Sequence, residues 1–530
     1  MMRRSYFFWT GVLMAGVGLC CGAGQAQDTR TVTEPKIPPV CTTLEAKLSS
    51  SDGTFSDADE SKLDTERIQK AIDGCGAGKA VELQMEIDPN TASQKGARGG
   101  KVWNAFLTGP LELHEGVTLL IDKGVTLYGS RDPKVYEFPD PNRKPDDPIT
   151  CGTSRPRPTS FPAPTSQTPP SSGATSQTPR PRGGCRSLIT VNVKNAAIMG
   201  EGAIDGRGYA KLIGHDYSWW QMARKAQPND DLYFATRLIV ASHADGFILY
   251  KIHLLNSPNF HVSVNQTDGF TAWGVHLVTP VDKKLIGTDN DARNTDGIDP
   301  GSSQNITITH SWIDNGDDNV AIKQGVSHMS VIDNHFYTGH GMSIGSETVL
   351  GQSYLLVDGL TEDHTTSGIR IKSNVMRGGP VHDLVYKNIC MKDVPIPIAI
   401  SPYYTNQTVE PFEDPKYKGD RIPDYKKITL ENIYSTTPGD VLIAGLNDQH
   451  RTEVSLDAVH IEGIKPSQLH LAYADIHMKV CSAYSKSPGT NLPLDQVPAT
   501  VKVIPSPEDG CGVVPIHPVD ACAGKFVPMQ

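Results

Sequence analysis

Three acidic residues and a histidine recur at nearly equal intervals in the middle of the sequence. Asp317 lies 21 positions after Asp296, Asp318 follows directly, and His340 lies 22 positions after Asp318. Carboxylates that are held close together repel, so one of them can keep a proton near neutral pH while its neighbours stay ionised. That division supplies a general acid and a general base, the pair of groups that cleaves a glycosidic bond.

Two cations follow the histidine. Arg370 and Lys372 stand two positions apart in the segment RIK, so on a strand their side chains point to the same face. An arginine can bind a carboxylate through two parallel hydrogen bonds, and a lysine binds it as a point charge. Because the whole chain carries a net charge of −10, a local cluster of this kind is needed to bind an anionic sugar.

A repeating scaffold would bring residues with this spacing together. Short β-rich segments share a few alternating β-branched residues followed by a polar turn. Their first strands begin near Ile248, Phe270, Ile306, Met329, Leu384 and Ile428. Several steps between them are close to 22 residues, and the step from Leu384 to Ile428 is 44, or twice that value. Such a period is typical of a solenoid, whereas the blades of a propeller need about 40 residues.

The fold class that fits this period is all-β, with the strands wound as a parallel β-helix. Stacked coils lie about 4.8 Å apart, so each step of one repeat returns the chain to the same face. We expect Asp296 and Asp317 to be neighbours, with Asp318 beside them and His340 one coil further on. The step from His340 to Arg370 is 30 residues, which allows a loop before the two cations reach the same face.

The clearest helix signal lies at residues 63–76, LDTERIQKAIDGCG. Ile68, Ile72 and Cys75 follow the apolar spacing of a helix, and Asp64 or Thr65 can cap its start. We expect this short N-terminal helix to cover the open end of the solenoid, because an exposed sheet edge invites pairing with other chains.

The beginning of the chain reads as a secretory signal peptide at residues 1–26, with two arginines, an apolar run and small residues at its end. We expect an exported protein, periplasmic or extracellular, that does not contact a membrane after the signal is removed. The negative charge argues against a nucleic-acid partner. We further expect an N-terminal extension at 27–54, a β-helix catalytic domain at 55–480 and a C-terminal segment at 481–530.

Eight cysteines lie outside the signal segment, and none shows CxxC spacing, so disulfides are favoured over a zinc site. Cys151 and Cys185 bracket a low-complexity insert at 152–184, rich in proline, serine and threonine, and are the first expected pair. Cys511 with Cys522 is the next. The composition of the insert cannot bury a core, which predicts a disordered or polyproline II loop.

The motifs together resemble the polygalacturonase family, glycoside hydrolase family 28. The matching pieces are NTDG at 294–297, GDDN at 316–319, GHG at 339–341 and RIK at 370–372, in the order and at similar spacing to those of the family. The resemblance covers roughly residues 55–465. It implies a right-handed parallel β-helix and hydrolysis, with inversion, of α-1,4 bonds between galacturonates in polygalacturonate or pectin.

The resemblance also implies roles for individual residues. Asp317 would be the general acid, Asp296 and Asp318 would position and deprotonate the water, and His340 would tune or hold the acid. It implies neither a metal nor another cofactor. The substrate partner would be a galacturonate-containing polysaccharide or oligosaccharide, and we expect a monomer.

Four further residues would bind the substrate. Arg370 and Lys372 would hold the galacturonate carboxylate. The segment PIAISPYY at 397–404 resembles the one that brings a tyrosine to the substrate, and we favour Tyr404 over Tyr403. Asn294 would shape the site.

Three other functions remain open at this point. A rhamnogalacturonan or xylogalacturonan hydrolase would use the same scaffold on a different pectin. A pectate lyase would need calcium and an arginine base, and would release an unsaturated product. A non-catalytic carbohydrate-binding β-helix would have no need of three acids, a histidine and two cations on one face.

Overall fold

The computed structural model describes residues 27–87, 102–140, 144, 148–157, 184–404, 418–481, 490–508 and 522–529. The predicted signal peptide at 1–26 and most of the predicted insert, 158–183, lie outside the described residues. In the described parts, no helix is long and apolar enough to cross a membrane.

The chain forms a parallel β-helix, which confirms the predicted fold class. Each central coil contributes one short strand to each of three stacks, which we name the first outer stack, the second outer stack and the site sheet. Every strand within a stack pairs in parallel with its equivalent one coil away. At the C-terminal end, longer strands turn the corner between the two outer stacks and join them into one sheet.

The first outer stack contains Val40–Glu45, Lys79–Gln84, Val117–Ile121, Ala197–Met199, Ile248–Tyr250, Thr271–Trp273, Gln304–Thr309, Val326–Ile332, Gln352–Asp358, Pro380–Lys392, Asp424–Ser435, Thr452–Ile461, Ala474–Cys481 and Val501–Glu508. The second outer stack contains Ala105–Thr108, Thr126–Gly129, Ala203–Asp205, His253–Leu255, His276–Val278, Trp312–Asp314, His335–Phe336 and Thr361–Asp363. The site sheet contains Leu111–Glu112, Ile189–Val191, Ile239–Ser242, Val262–Asn265, Ile298–Gly301, Val320–Ile322, Met342–Gly345, Ser367–Lys372, Ile396–Ser401, Val441–Ala444 and Leu469–Ala472.

The remaining elements are short. Two antiparallel pairs join Glu86–Ile87 with Val102–Trp103, and Ser154–Arg155 with Leu232–Tyr233. In the described parts of the chain, the α-helices are Asp57–Glu60, Thr65–Asp73 and Trp219–Ala226, and the 3-10 helices are Pro133–Tyr136, Gln227–Asn229, Lys283–Leu285 and Pro466–Gln468.

The core lies inside the coils and is built from aligned apolar residues. On the site sheet, Ile298 pairs with Val320, Val320 with Met342, and Met342 with Ile369, and these side chains are fully buried. Burying each such side chain stabilises the fold by about 1.5–3 kcal/mol. Equivalent residues of successive coils lie directly above one another. Polar residues at equivalent positions therefore form a row along one face of the solenoid.

The strand pairing corrects three details of the predicted repeat. Leu384 pairs directly with Ile428, so the 44-residue step is one coil with a long excursion and not two coils. A coil containing Leu355 lies between Met329 and Leu384 and was missed. Ile248 pairs with Thr271, so the predicted start at Ile248 was one residue late relative to the start at Phe270.

The predicted N-terminal helix is confirmed as Thr65–Asp73. Its side chains Ile68 and Ile72 are buried in the core at the N-terminal end of the coils. Asp64 precedes the helix but does not cap it with its side chain. Its carboxylate instead accepts hydrogen bonds from the Leu107 backbone N–H at 3.0 Å and from Arg67 Nε at 2.7 Å, so it ties the helix to the first coils.

Three disulfides are present among the described residues. Cys151 is bonded to Cys185, as predicted. Cys522 is bonded to Cys390, 132 positions away in sequence, so the predicted pair of Cys511 with Cys522 is wrong; Cys511 itself lies outside the described residues. The third bond joins Cys41 to Cys75 at the end of the N-terminal helix.

The first outer stack extends into both segments that were expected to flank the catalytic domain. Val40–Glu45 pairs with Lys79–Gln84, so the sheet begins within the segment expected to be an N-terminal extension. Val501–Glu508 pairs with Ala474–Cys481 within the expected C-terminal segment.

Candidate active site

Three of the predicted site residues occupy equivalent positions on successive coils. Asp296, Asp318 and His340 each stand two residues before a strand of the site sheet. The paired first residues of those strands are Ile298, Val320 and Met342. Asp318 is therefore in register with Asp296, and Asp317 lies one position earlier, which refines the predicted pairing of Asp296 with Asp317.

Glycines allow the turns that carry these residues to stack closely. Gly297 donates its backbone N–H to the Asp318 carbonyl at 2.9 Å. A Cβ atom on Gly297 would lie 2.2 Å from the Asn319 carbonyl oxygen, and one on Gly341 would lie 2.0 Å from that of Ser367. Gly341 also has a φ of 74°, a conformation that favours glycine. The glycines of NTDG and GHG are thus required by the packing of adjacent coils.

Asp318 is the most strongly bound of the three acids. One oxygen accepts hydrogen bonds from Arg370 Nη1 at 3.0 Å and Ser343 Oγ at 2.9 Å, and the other accepts one from Lys372 Nζ at 2.6 Å. Burial alone would raise the pKa of Asp318, but the charges of Lys372 and Arg370 outweigh it and hold the pKa well below its usual range. Asp318 is therefore a carboxylate held in a fixed orientation by these three partners.

Asp317 pairs with His340. The His340 Nδ1 atom lies 3.2 Å from Asp317 Oδ1, and the backbone N–H of His340 donates to the Asp317 carbonyl at 2.9 Å. Burial favours a raised pKa at Asp317, but the hydrogen bond and charge of His340, with a contribution from Lys372, lower it. The Asp317 side chain is 19% exposed, against 1% for Asp318 and 5% for Asp296, so it is the acid that a bound sugar can reach.

Asp296 shares a cation with a fourth acid. Lys323 Nζ lies 3.3 Å from Asp296 Oδ2 and 3.5 Å from Asp299 Oδ2. Burial is the main cause that raises the pKa of both acids, well above its usual range at Asp296 and to about 6 at Asp299. The negative charge of Asp299 adds to the rise at Asp296, and Lys323 opposes it.

Asn294 connects the acids to the neighbouring wall. Its side-chain N–H lies 3.4 Å from Asp317 Oδ2, and its side-chain oxygen accepts hydrogen bonds from Tyr233 Oη at 2.8 Å and from Gln227. Asn294 has a φ of 47°, a left-handed conformation that asparagine tolerates better than most residues. It therefore has the geometry to fix the orientation of Asp317.

The two tyrosines after the strand Ile396–Ser401 point in different directions. The ring centroid of Tyr404 lies 5.5 Å from Lys372 Nζ, and the residue lines the groove. Tyr403 is buried, and its hydroxyl donates to the Leu446 carbonyl at 3.0 Å. Tyr404 is thus placed beside the acids and cations, whereas Tyr403 belongs to the body of the fold.

All eight predicted site residues line one groove of about 640 Å³. A second cavity of about 810 Å³ shares Arg237, Phe260 and Asn294 with it, so the groove continues towards the N-terminal coils. Such a shape accommodates several consecutive units of a polymer.

Sequence reasoning missed five charged residues that line this groove, namely Arg237, Arg293, Glu347, Asp299 and Lys323. The last two matter most for the acids, because Lys323 pairs with both Asp296 and Asp299. Each follows a motif that was used, in NTDGID and GDDNVAIK, and each is a charged residue in an otherwise apolar strand segment. That interruption was the signal that could have identified them. On a strand with one face buried, a single charge marks the face that is not in the core.

Asp317, Asp318 and His340 offer ligand atoms within 4.8 Å of one another, close enough to be considered for a metal. Both oxygens of Asp318 are already engaged, by Arg370 and Lys372. A metal cation bound here would have to displace the side chains of Arg370 and Lys372 or lie next to their positive charges. The cluster therefore suits an anionic ligand better than a metal ion.

Comparison with known proteins agrees with this geometry. A family model described as "Glycosyl hydrolases family 28" matches residues 172–482. The chain is 38% identical to an endo-polygalacturonase of Pectobacterium carotovorum subsp. carotovorum over 451 residues, which cover 84% of this chain and 92% of that protein. It is 34% identical to a polygalacturonase of Ralstonia solanacearum over 469 residues, or 80% of this chain and 78% of that one.

Solved structures support the same assignment. A polygalacturonase from Erwinia carotovora ssp. carotovora matches with a TM-score of 0.64 and 35% identity, covering 84% of this chain and 100% of that chain. A family 28 exopolygalacturonase from Yersinia enterocolitica matches with a TM-score of 0.55 at 18% identity, covering 90% and 79%, a likeness that concerns the fold alone. The chain belongs to glycosyl hydrolases family 28.

Proposed function

We propose that this chain hydrolyses the α-1,4 bonds between galacturonates in polygalacturonate or pectin, with inversion at the anomeric carbon. The observation that carries the proposal is the pairing of Asp317 with His340 beside Asp318, Arg370 and Lys372 on one wall of an open groove. A protonated acid, a fixed carboxylate and two cations together can bind an anionic sugar and cleave its glycosidic bond.

In this mechanism Asp317 donates a proton to the oxygen of the leaving sugar. It is the acid most exposed to the groove, and it shares a hydrogen-bonded proton with His340. Burial favours a raised pKa at Asp317, but the hydrogen bond and charge of His340 lower it, so substrate binding must shift this balance before Asp317 can donate. Binding of an anionic sugar adds negative charge near Asp317 and so favours its protonated form.

Arg370 and Lys372 connect substrate binding to that change. Both line the groove while holding Asp318. A galacturonate carboxylate that shares these cations neutralises part of their charge, and Lys372 is one of the groups that lower the pKa of Asp317. Occupation of the groove therefore raises the pKa of Asp317 when the acid is needed.

Asp318 and Asp296 activate the water that attacks the anomeric carbon. Burial works against its ionisation, but Lys372 and Arg370 hold the pKa of Asp318 well below its usual range, which favours its ionised form. In an inverting hydrolase the base deprotonates a water on the face of the sugar opposite the acid. Asp296, one coil away, can accept the proton in its ionised form.

We further propose that the protein acts as an exported monomer on polymeric substrate, in keeping with the signal-like residues 1–26 and the open groove. The predicted place of action is the periplasm or the extracellular medium.

Digestion of polygalacturonate in the presence of EDTA tests the proposed function. We expect new reducing ends without the absorbance near 235 nm that marks unsaturated lyase products, and the size of the products distinguishes internal from terminal cleavage. An unsaturated product that disappears with EDTA would establish a lyase. Cleavage of rhamnogalacturonan or xylogalacturonan but not of polygalacturonate would contradict the substrate.

A further inference from the structure

Lys323 is the only cation within ion-pairing distance of Asp296 or Asp299 among the described residues. Its side chain is 26% exposed and lies 5.5 Å from the ring centroid of Phe260. The second oxygen of Asp296 and both oxygens of Asp299 are buried without a hydrogen-bond partner in the described structure. One ammonium group thus serves two buried carboxylates.

We infer that Lys323 is a positioning residue that favours the ionised, water-activating form of Asp296 by placing one positive charge between Asp296 and Asp299. This inference rests on the proposed function, in which Asp296 acts on the attacking water. Two buried carboxylates that share one cation compete for it, so the charge of each depends on the other.

Several other ionisable groups surround this cluster. The groups that face Asp296 or Lys323 are Tyr233, Asp299, Asp317, Asp318 and Glu347, and Arg237 faces Asp299. The cations Arg370 and Lys372 are engaged by Asp318. Nearly all of the groups around Asp296 are acids, so they oppose its ionisation. Lys323 is the group that favours it, and its own pKa is held well above the usual range by Asp299 and Asp296 despite burial.

The signs of the expected changes follow from this balance. Removing Lys323 removes the charge that stabilises ionised Asp296, so the pKa of Asp296 rises. Removing the charge of Asp299 has the opposite effect, because it takes away a repulsive neighbour and leaves Lys323 to Asp296 alone. If activity needs ionised Asp296, the acidic limb of the pH profile moves to higher pH when Lys323 is removed. It moves to lower pH when the charge of Asp299 is removed.

The test is the pH profile of kcat/KM on polygalacturonate for Lys323→Met, Asp299→Asn, the double variant and Lys323→Arg. We expect the acidic limb to move up by about one pH unit or more in Lys323→Met, to move down in Asp299→Asn, and to return towards the wild-type position in the double variant. Lys323→Arg keeps the charge and should leave the limb in place. Lys392→Met is a matched control, because Lys392 pairs with Asp363 outside the groove at 3.4 Å.

A purely structural role for Lys323 would lower activity equally at every pH without moving the limb, and that result would overturn the inference. If Lys323→Met does not fold, as judged by its melting temperature, an unmoved limb in Asp299→Asn overturns it instead. Failure of the wild-type protein to cleave any galacturonan would overturn the proposed function, and this inference with it. Wild-type cleavage with unmoved limbs would overturn only the role of Lys323.

Discussion

Asp318 and Asp296 occupy the same position on adjacent coils, yet their environments shift their pKa values in opposite directions. Both are buried, which by itself raises the pKa of a carboxyl group. Asp318 has two cations to itself, Arg370 and Lys372, and its pKa is lowered, whereas Asp296 shares one cation with Asp299 and its pKa is raised. Since burial acts on both acids in the same direction, the number of cations per carboxylate accounts for the opposite directions of the two pKa shifts.

A third carboxyl group extends the comparison into the core. Glu362 is fully buried and has no ion-pair partner among the residues that the structure describes. Burial raises its pKa to about 8. A Cβ on Gly341, beside His340, would lie 2.9 Å from Glu362 Oε1, so this group lies directly beneath the groove. Because no described cation lies beside it, burial favours its neutral form.

The largest effect is expected at Asp317, the proposed proton donor, which lies next to Asp318 in sequence and one coil from Asp296. Asp317→Asn removes the proton donor while keeping its shape. We expect kcat on polygalacturonate to fall on the order of 10²–10⁴-fold, the usual contribution of general acid catalysis. Asp363→Asn, which changes an acid outside the groove, is the control, and a variant Asp317→Asn that retains near wild-type kcat would exclude Asp317 as the acid.

Lys372→Met would make Asp318 resemble Asp296 by leaving it a single cation. It removes the 2.6 Å contact to Asp318 and a group proposed to bind the substrate carboxylate. Truncating one partner of a buried charge pair costs about 2–5 kcal/mol, so we expect kcat/KM to fall on the order of 10²-fold, with a rise in KM. The control Lys392→Met should keep both constants, and an unchanged KM in Lys372→Met would argue against a role in binding.

Glu362→Gln tests the carboxyl group without a cation. Because the folded protein holds the Glu362 proton more tightly than the unfolded chain, the stability from this group is full at low pH and is lost as pH rises towards 8. Relative to the wild type, Glu362→Gln should gain up to a few kcal/mol in free energy of unfolding between about pH 5 and pH 8. Urea unfolding at both values measures this.

The exposed Glu431→Gln provides the control for that series, because its side chain is already in solvent. A constant difference between Glu362→Gln and the wild type across this pH range would show that Glu362 does not carry a proton in the folded state.

The smallest effects are expected at the two adjacent tyrosines. Tyr404→Leu removes an aromatic ring beside Lys372, and a cation–π contact is worth about 0.5–1 kcal/mol at an exposed site, so KM should rise a few-fold with little change in melting temperature. Tyr403→Phe removes a buried hydrogen bond worth about 0.5–1.5 kcal/mol and should lower stability with little change in KM. A raised KM in Tyr403→Phe together with a lowered stability in Tyr404→Leu would show that Tyr403 contacts the substrate and Tyr404 supports the fold.

The sequence predicted the solenoid because chemically distinctive residues marked the same point on successive coils. Steps of 21 and 22 residues identified Asp296, Asp317, Asp318 and His340 as neighbours, and the strand pairing confirms the repeat. The 44-residue step was misread because spacing alone does not distinguish two coils from one coil with an excursion. The bond between Cys390 and Cys522 was not predictable, because sequence does not specify cysteine pairing.

Part of the electrostatics could not be predicted either. Sequence reasoning expected crowded acids to push one pKa upwards and so supply the general acid. In the structure the raised pKa is that of Asp296, chiefly through burial, whereas that of Asp317, the expected general acid, is lowered. Which acid is raised depends on where each cation points, and Arg370 and Lys372 both turn to Asp318. That choice, and the sharing of Lys323 by Asp296 and Asp299, arise from packing between coils.

The most direct test of the division between a proton-donating Asp317 and water-activating Asp318 and Asp296 is the stereochemistry of the first product. Proton NMR can follow polygalacturonate digestion in its earliest minutes, before the new reducing ends mutarotate. Inversion predicts that the β-anomer of the new reducing end appears first and that the α-anomer grows in later. An α-anomer formed first, or unsaturated signals in place of either, would contradict the mechanism.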